Sequence, residues 1–169
     1  LEEAGEVPVG FNRGPWFGRM IGGDQPMTLH FCTPSYTSGT KGLQRGHVLI
    51  EPQSQAEFDR MKHQLKGAWV LVGGLNAGWP LPHSAKDDSI RAEQKLKNAE
   101  IAKKNNEIRM KNRMNGTNEP MLELKSIPGL FYREMIEAGV LGFIQASTVP
   151  IRALYDRPMV NDKSTTFDN

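Results

Sequence analysis

From Asp87 to Met114 the chain runs for 28 residues without a glycine or a proline, and that run restricts the possible folds more than any other feature. Most of its residues are good helix formers. Glu93, Glu100 and Glu107 each stand four residues before a lysine, Lys97, Lys104 and Lys111, and each such pair supports a helix by about 0.2–0.5 kcal/mol. Asp87 and Asp88 fall where a helix N-terminus favours anions, and Arg109, Lys111 and Arg113 where the C-terminus favours cations. Asn115-Gly116 is a stop signal. Fully helical, the segment would be about 42 Å long, more than the width of a small domain. Its apolar stripe is thin, Ile90, Ile101 and Ile108. Such a helix is expected to project from the fold and to be largely solvated. Deleting 87–114 is therefore expected to leave the remaining core folded.

The flanking sequence alternates between strand and helix signals. Gly46 to Glu51 reads as a short apolar strand. Ser54 to Leu65 reads as a helix, with Ser54 and Glu57 forming a capping box and Phe58, Met61 and Leu65 one apolar stripe. Lys66-Gly67 ends it. The nearly continuous apolar run Ala68-Trp69-Val70-Leu71-Val72 suits a strand buried on both faces by parallel pairing. Strand, helix and strand in this order form a crossover unit, expected right-handed. Residues 73–86 read as loop. Ser126-Ile127-Pro128-Gly129 opens a second helix, buried through Phe131, Met135 and Ala138 and stopped by Gly139, and Val140 to Gln145 is the next strand. Thr28 to Cys32 is a further candidate strand. Residues 1–27 hold six glycines and three prolines and read as a tether, pinned by the aromatic cluster Phe11, Trp16 and Phe17. The last 21 residues, 149–169, read as loop, and no internal repeat is visible.

Several chemistries lack their residues. Twenty-one Lys and Arg against 19 Asp and Glu leave a net charge of +2, which gives no electrostatic reason for nucleic acid. The basic helix is interleaved with glutamates and carries no stacking aromatics. No run of 18 apolar residues is present, so no membrane-spanning helix is expected. The lone Cys32 excludes an internal disulfide. His30 and Cys32 could share a strand face, but a zinc site needs further ligands, so no metal site is assigned. Gly73 to Gly78 has the spacing of a phosphate loop, yet Trp79 and Pro80 stand where Lys and Ser or Thr are required. No G-x-S-x-G elbow is present either. No catalytic residue is assigned. The first residue is Leu1, which suggests a mature form or an excised piece.

From Thr33 onward the order of segments resembles that of protease-associated domains. The stretches that carry the resemblance are TPSYTSGTKGLQRGHVLIEP, LKGAWVLVGG and FYREMIEAGVLGFIQAS. Lys66-Gly67-Ala68-Trp69-Val70-Leu71-Val72 fills the place of that family's Lys-Gly-Lys-Ile-Val-Leu-Val-type strand. Glu137-Ala138-Gly139 with Val140 to Ile144 fills that of its Ala-Gly-Ala helix end and Gly-Val-Ile strand. The wording GFNRGPWFG and VPIRALYDR, with the charged insertion, resembles bacterial exported zinc aminopeptidases of the transferrin-receptor and glutamate-carboxypeptidase superfamily. The family's Arg-Gly-x-Cys-x-Phe stretch is replaced here by Gly73-Gly74-Leu75-Asn76 and the insertion, so no ligand role of that stretch transfers.

The resemblance implies an α+β fold, a swivelling β/β/α domain over 28–169 with two small sheets, flanking helices and the charged helix inserted at 87–114. Its closing strand would lie just beyond Asn169. The implied function is that of a non-catalytic accessory domain covering the cleft of a zinc aminopeptidase, shaping substrate access or docking proteins. Its partners would be the peptidase domain of the same parent chain and a peptide or protein substrate. Zinc would belong to that peptidase, and the location would be periplasmic or extracellular and soluble. Loops 73–83 and 148–158 would lie nearest the cleft, with Trp79, Arg152, Tyr155 and Arg157 as candidates for touching peptide. An independent protein- or carbohydrate-binding module is the alternative, which Trp16 and Trp79 exposed on one face would favour, and an unrecognised small enzyme is a third reading, which would need carboxylates or histidines clustered in a closed pocket.

Overall fold

In a computed structural model of the chain, residues 17–22, 25–33, 39–76 and 81–148 are described. The chain divides into two compact units: 1–39, 76–80 and 147–169 form one, and 40–75 with 81–146 the other.

The first unit contains a small antiparallel sheet. β1 (Gly18–Met20) pairs with β2 (Met27–Leu29), Gly18 facing Leu29 and Met20 facing Met27. The region expected to be only a tether thus contributes a strand. The strand expected over 28–32 begins one residue earlier and ends at Leu29. Phe17 is exposed, while Phe11 and Trp16 lie outside the described residues.

The second unit carries β3 (Val48–Ile50), α1 (Gln55–Met61), a 3-10 turn over Lys62–Gln64, β4 (Trp69–Asn76), α2 (Ala85–Asn115), α3 (Tyr132–Glu137) and β5 (Gly142–Ser147). The fold is α+β, with two small sheets and three α-helices among the described residues. The three-stranded sheet has the order β3-β4-β5. β3 and β4 are parallel, with Val48 beside Trp69 and Ile50 beside Leu71. On the other side of β4, Leu141 N–H donates to Ala68 O and the Gln145 side chain to Gly73 O, and partners that ascend together mark β5 as parallel too.

Parallel strands need crossovers, and α1 and α3 supply them. Their inner faces meet in the core, where Phe58, Leu65, Val70, Leu130, Phe131 and Met135 are buried and Leu49, Met61, Ile127, Ala138, Val140 and Phe143 pack around them. The rings of Phe58 and Phe131 stack with centroids 5.0 Å apart. The stripes expected on both helices are therefore the ones buried.

Three boundaries differ from expectation. The Ser54 hydroxyl accepts from Glu57 N–H, but the Glu57 carboxylate accepts from Gln53 N–H at 2.7 Å, one residue outside the capping box. Residues 128–131 form a turn rather than the start of a helix, because Leu130 N–H bonds back to Ile127 O and Tyr132 N–H to Gly129 O. β4 continues through Gly73, Gly74, Leu75 and Asn76, which were expected to be loop.

Phe131 is fully enclosed and stacked, so Phe131→Ala is expected to cost about 3–5 kcal/mol in denaturant unfolding. Ile50→Ala, at a position 74% exposed, should stay within about 0.5 kcal/mol of the parent.

Candidate functional site

The residues expected to touch peptide, Trp79, Arg152, Tyr155 and Arg157, lie outside the described residues, as does Trp16. Two features of the second unit take their place as candidates: the outer face of the parallel sheet, and the arm built on α2.

Side chains alternate along a strand. In this sheet one set faces the helices and the other is bare. Val70 and Val72 are buried, whereas Leu71 between them is exposed. This corrects the expectation of a strand buried on both faces. The bare set comprises Val48 and Ile50 of β3, Trp69 and Leu71 of β4, and Gly142 and Ile144 of β5. Val48, Ile50, Leu71 and Ile144 are all exposed, and Trp69 is half-buried. Gly142 is required here, since a Cβ on it would come within 2.8 Å of the Trp69 ring. Apart from Trp69 these side chains are aliphatic and none is charged, and no element among the described residues covers them, an unusual state for parallel strands.

On the helix side, the Glu51 carboxylate sits 3% exposed at the end of β3. One oxygen accepts from Gly73 N–H and the other from Gly129 N–H, each at 2.7 Å. It joins β3, β4 and the turn before α3. Both its oxygens are committed to main-chain donors, which is a structural use. Among the described residues, no group of three or more His, Cys, Asp or Glu could hold a metal ion.

α2 spans 31 residues, about 46 Å at 1.5 Å per residue. Its start lies inside the stretch expected as loop: Ser84 caps it in a reciprocal box with Asp87. It ends at Gly116, whose φ of 64° is the left-handed value that glycine accepts without strain. The base of α2 is tied to α3. Arg133 donates to Asp88 at 2.8 Å, Lys95 pairs with Glu134, and the Arg91 guanidinium lies 5.1 Å from the Tyr132 ring centroid. Arg91 is buried, also donates to Pro82 O, and leaves its Nε without a hydrogen-bond partner. The helix is thus anchored by cations over aromatic rings at its base. Removing all of 87–114 would take this anchorage with it. Of the three Glu-to-Lys pairs, Glu93–Lys97 closes at 2.5 Å, and the other two are not drawn together. Exposed pairs gain too little to hold two long side chains in place.

The inward stripe of α2 is polar. The three isoleucines do not form it alone: Ile90 is exposed, while Ile101 and Ile108 are half-buried beside a row made of Arg91, Asn98, Asn105 and Asn112. Each asparagine holds one residue of the returning chain by both main-chain groups. Asn98 donates to Lys125 O at 2.8 Å and accepts from Lys125 N–H at 3.2 Å. Asn105 does the same with Leu122, both bonds at 2.8 Å. Asn112 does so with Glu119, both at 2.9 Å. The helix steps by seven residues where the returning strap, 117–126, steps by three. Seven helical residues advance about 10.5 Å, and three extended ones about 9–10 Å. The two repeats therefore stay in register over three rungs. The strap runs antiparallel to α2, and its residues are exposed.

This ladder was missed in the sequence, though it has a signal there. Asparagine is a poor helix former, and three at seven-residue spacing inside a long helix need a reason. A free side-chain amide supplies one: it offers a donor and an acceptor side by side, matching a main-chain N–H and C=O. Each bond is worth about 0.5–1.5 kcal/mol, against about 1–2 kcal/mol to order each residue. Two bonds, about 1–3 kcal/mol, do not by themselves offset the roughly 3–6 kcal/mol of ordering a three-residue repeat, so the ladder alone holds the strap weakly.

Comparison of the chain with protein-family models, with curated proteins and with solved structures finds no match in any of the three.

The ladder predicts a register rule. Deleting one helical heptad, 99–105, together with one strap repeat, 120–122, should keep two rungs and most of the thermal stability. Deleting 99–105 alone should lower Tm further, because the strap is then three residues too long. At the base, the Ser84 hydroxyl and amide hold the Asp87 carboxyl below its ordinary value, and Arg133 does the same to Asp88. Depressed carboxyls stabilise above their unfolded value, near pH 4, and that contribution is lost as pH falls through the lower folded value. Acid titration should therefore loosen the base of α2 below about pH 4, read as loss of protection at Asp88 N–H. Asp88→Asn should remove the part of that dependence due to Arg133.

Proposed function

We propose that this chain is a non-catalytic accessory domain of the protease-associated kind, carried by an exported zinc aminopeptidase, where it lies over the catalytic cleft and governs what reaches it. The bare aliphatic face of β3, β4 and β5 is the observation that carries this reading. A face of Val48, Ile50, Trp69, Leu71 and Ile144 has a use where a protein surface covers it. The order of segments also supports it: the Lys66-Gly67 turn before β4, and Ala138-Gly139 between α3 and β5, stand where the resemblance requires them. Zinc and its ligands belong to the peptidase part, which is the first partner, with the peptide or protein substrate as the second. Trp79, Arg152, Tyr155 and Arg157 remain the proposed peptide contacts. The proposed location is periplasmic or extracellular, and among the described residues no helix is long and apolar enough to cross a membrane.

An independent binding module is the second reading. Four of the five side chains named on the open face are aliphatic, which favours a protein as its ligand; the half-buried Trp69 is the one flat aromatic surface there that a sugar ring could use.

With aminopeptidase substrates and added Zn²⁺, the chain alone is expected to show no turnover, and hydrolysis abolished by a chelator would overturn the reading. Ile50→Lys with Leu71→Lys should leave the core folded and weaken co-purification with the peptidase part at least tenfold. Unchanged co-purification would remove the open face as the docking surface. Coding sequence on either side with paired-zinc ligand motifs would support the parent assignment.

A further inference from the structure

The strap along α2 is held as a bound peptide would be held. All six ladder bonds reach its main chain, and one further bond reaches a side chain, Thr117 Oγ1 donating to Asn112 Oδ1 at 2.9 Å beside the turn. Met121, Leu122 and Leu124 of the strap are 43%, 45% and 37% exposed, so none is enclosed in a pocket of its own, and their partial burial adds to the ladder. Beyond Thr117, the six ladder bonds of such a site read conformation rather than sequence. The site takes an extended or polyproline-type chain running antiparallel to the helix, with a free N–H at every third residue. Proline is excluded at the rungs and allowed between them, as Pro120 is between Glu119 and Leu122.

We infer that α2 is a peptide-binding helix: Asn98, Asn105 and Asn112 form a site for an extended polypeptide segment, and the strap is its resident occupant. The inference rests on the reading of the chain as a protein-interaction domain only in expecting a polypeptide as ligand. The turn at Gly116 joins helix to strap directly, which places the strap at an effective concentration in the millimolar range. A peptide at micromolar concentration therefore does not compete with the resident, and the site opens only when the strap is displaced.

The test releases the strap without shortening the chain. In the full chain, Glu119→Pro, Leu122→Pro and Lys125→Pro remove all three rung donors. The probe is a fluorescein-labelled peptide of residues 117–127, TNEPMLELKSI. The triple variant should bind it saturably and at least tenfold more tightly than the parent chain does. A peptide that keeps Thr117 but is otherwise shuffled, with no proline at the rungs, should bind within a few-fold, and the peptide with proline at all three rungs should not bind. Adding Asn105→Leu should weaken binding at least tenfold. No binding by a triple variant with the parent's helical content, or binding indifferent to Asn105→Leu, overturns the inference.

A second measurement uses the intact chain and decides the matter should the triple variant fail to fold. The amides of Glu119, Leu122 and Lys125 should exchange by a local opening, with protection at least a hundredfold below that of Val70. Exchange only through global unfolding would mean that the strap never vacates the site, and would overturn the inference. So would a concentration-dependent dimer of the parent chain that Asn105→Leu abolishes, since a second copy would then be the occupant. The peptidase and co-purification experiments do not involve the ladder. Their failure with peptide binding intact would remove the accessory-domain reading alone.

Discussion

The stacking of Phe58 on Phe131 is the contact from which the second unit is organised. It brings α1 and the start of α3 to the same side of the sheet, over Leu65, Val70 and Met135. With both crossover helices on that side, the turn over 128–131 comes close enough for Gly129 N–H to reach the Glu51 carboxylate. The same Phe131 ring lies under Lys95, whose ammonium is 4.6 Å from its centroid. The base of α2 is therefore fixed by the core itself. Loss of this ring would release the helix faces, the carboxylate junction and the footing of the arm together.

The geometry of one side has a consequence for the other. Two helices cover one face of three parallel strands, and the described part of the unit has no layer for the opposite face. Parallel sheets are ordinarily covered on both sides. The outer face here is flat enough at Gly142 for Trp69 to lie across it, and its remaining members are aliphatic. Contiguous exposed apolar surface is a common property of interaction sites. It is the physical basis for reading the chain as a domain that works against another protein surface.

The arm solves a different problem. An extended strap running beside a helix has no neighbouring strand to satisfy its main chain, and a helix has spent its own main-chain groups internally. Side-chain amides are the available substitute, because Asn alone at this length presents a donor and an acceptor in one plane. Heptad spacing keeps them on one stripe with a drift of about 20° per repeat. In coiled coils, asparagine at such a position fixes register at some cost in stability. In α2 it fixes the register of an extended chain through that chain's main-chain groups.

The long helix, its stop at Gly116, the apolar stripes of α1 and α3, and the three strands of the parallel sheet were legible in the sequence, because each rests on periodicity or on local backbone preference. Ser84 was readable as a cap but lay beyond the charge boundary used to begin the helix. Which stripe of α2 turns inward was not legible by hydrophobicity, since Arg91 and three asparagines outrank Ile90 there. That choice depends on main-chain groups of residues 119, 122 and 125, which are distant in sequence from most of the helix. The exposure of Leu71 beside the buried Val70 and Val72 was equally out of reach. A continuous apolar run states that a strand belongs to a sheet, not how many of its faces find a layer. The amino-acid sequence by itself determined most of the elements, through spacing and capping, though not β1 or the far end of β4. Only the tertiary structure decided which faces meet, because that depends on where α1, α3 and the strap return in space.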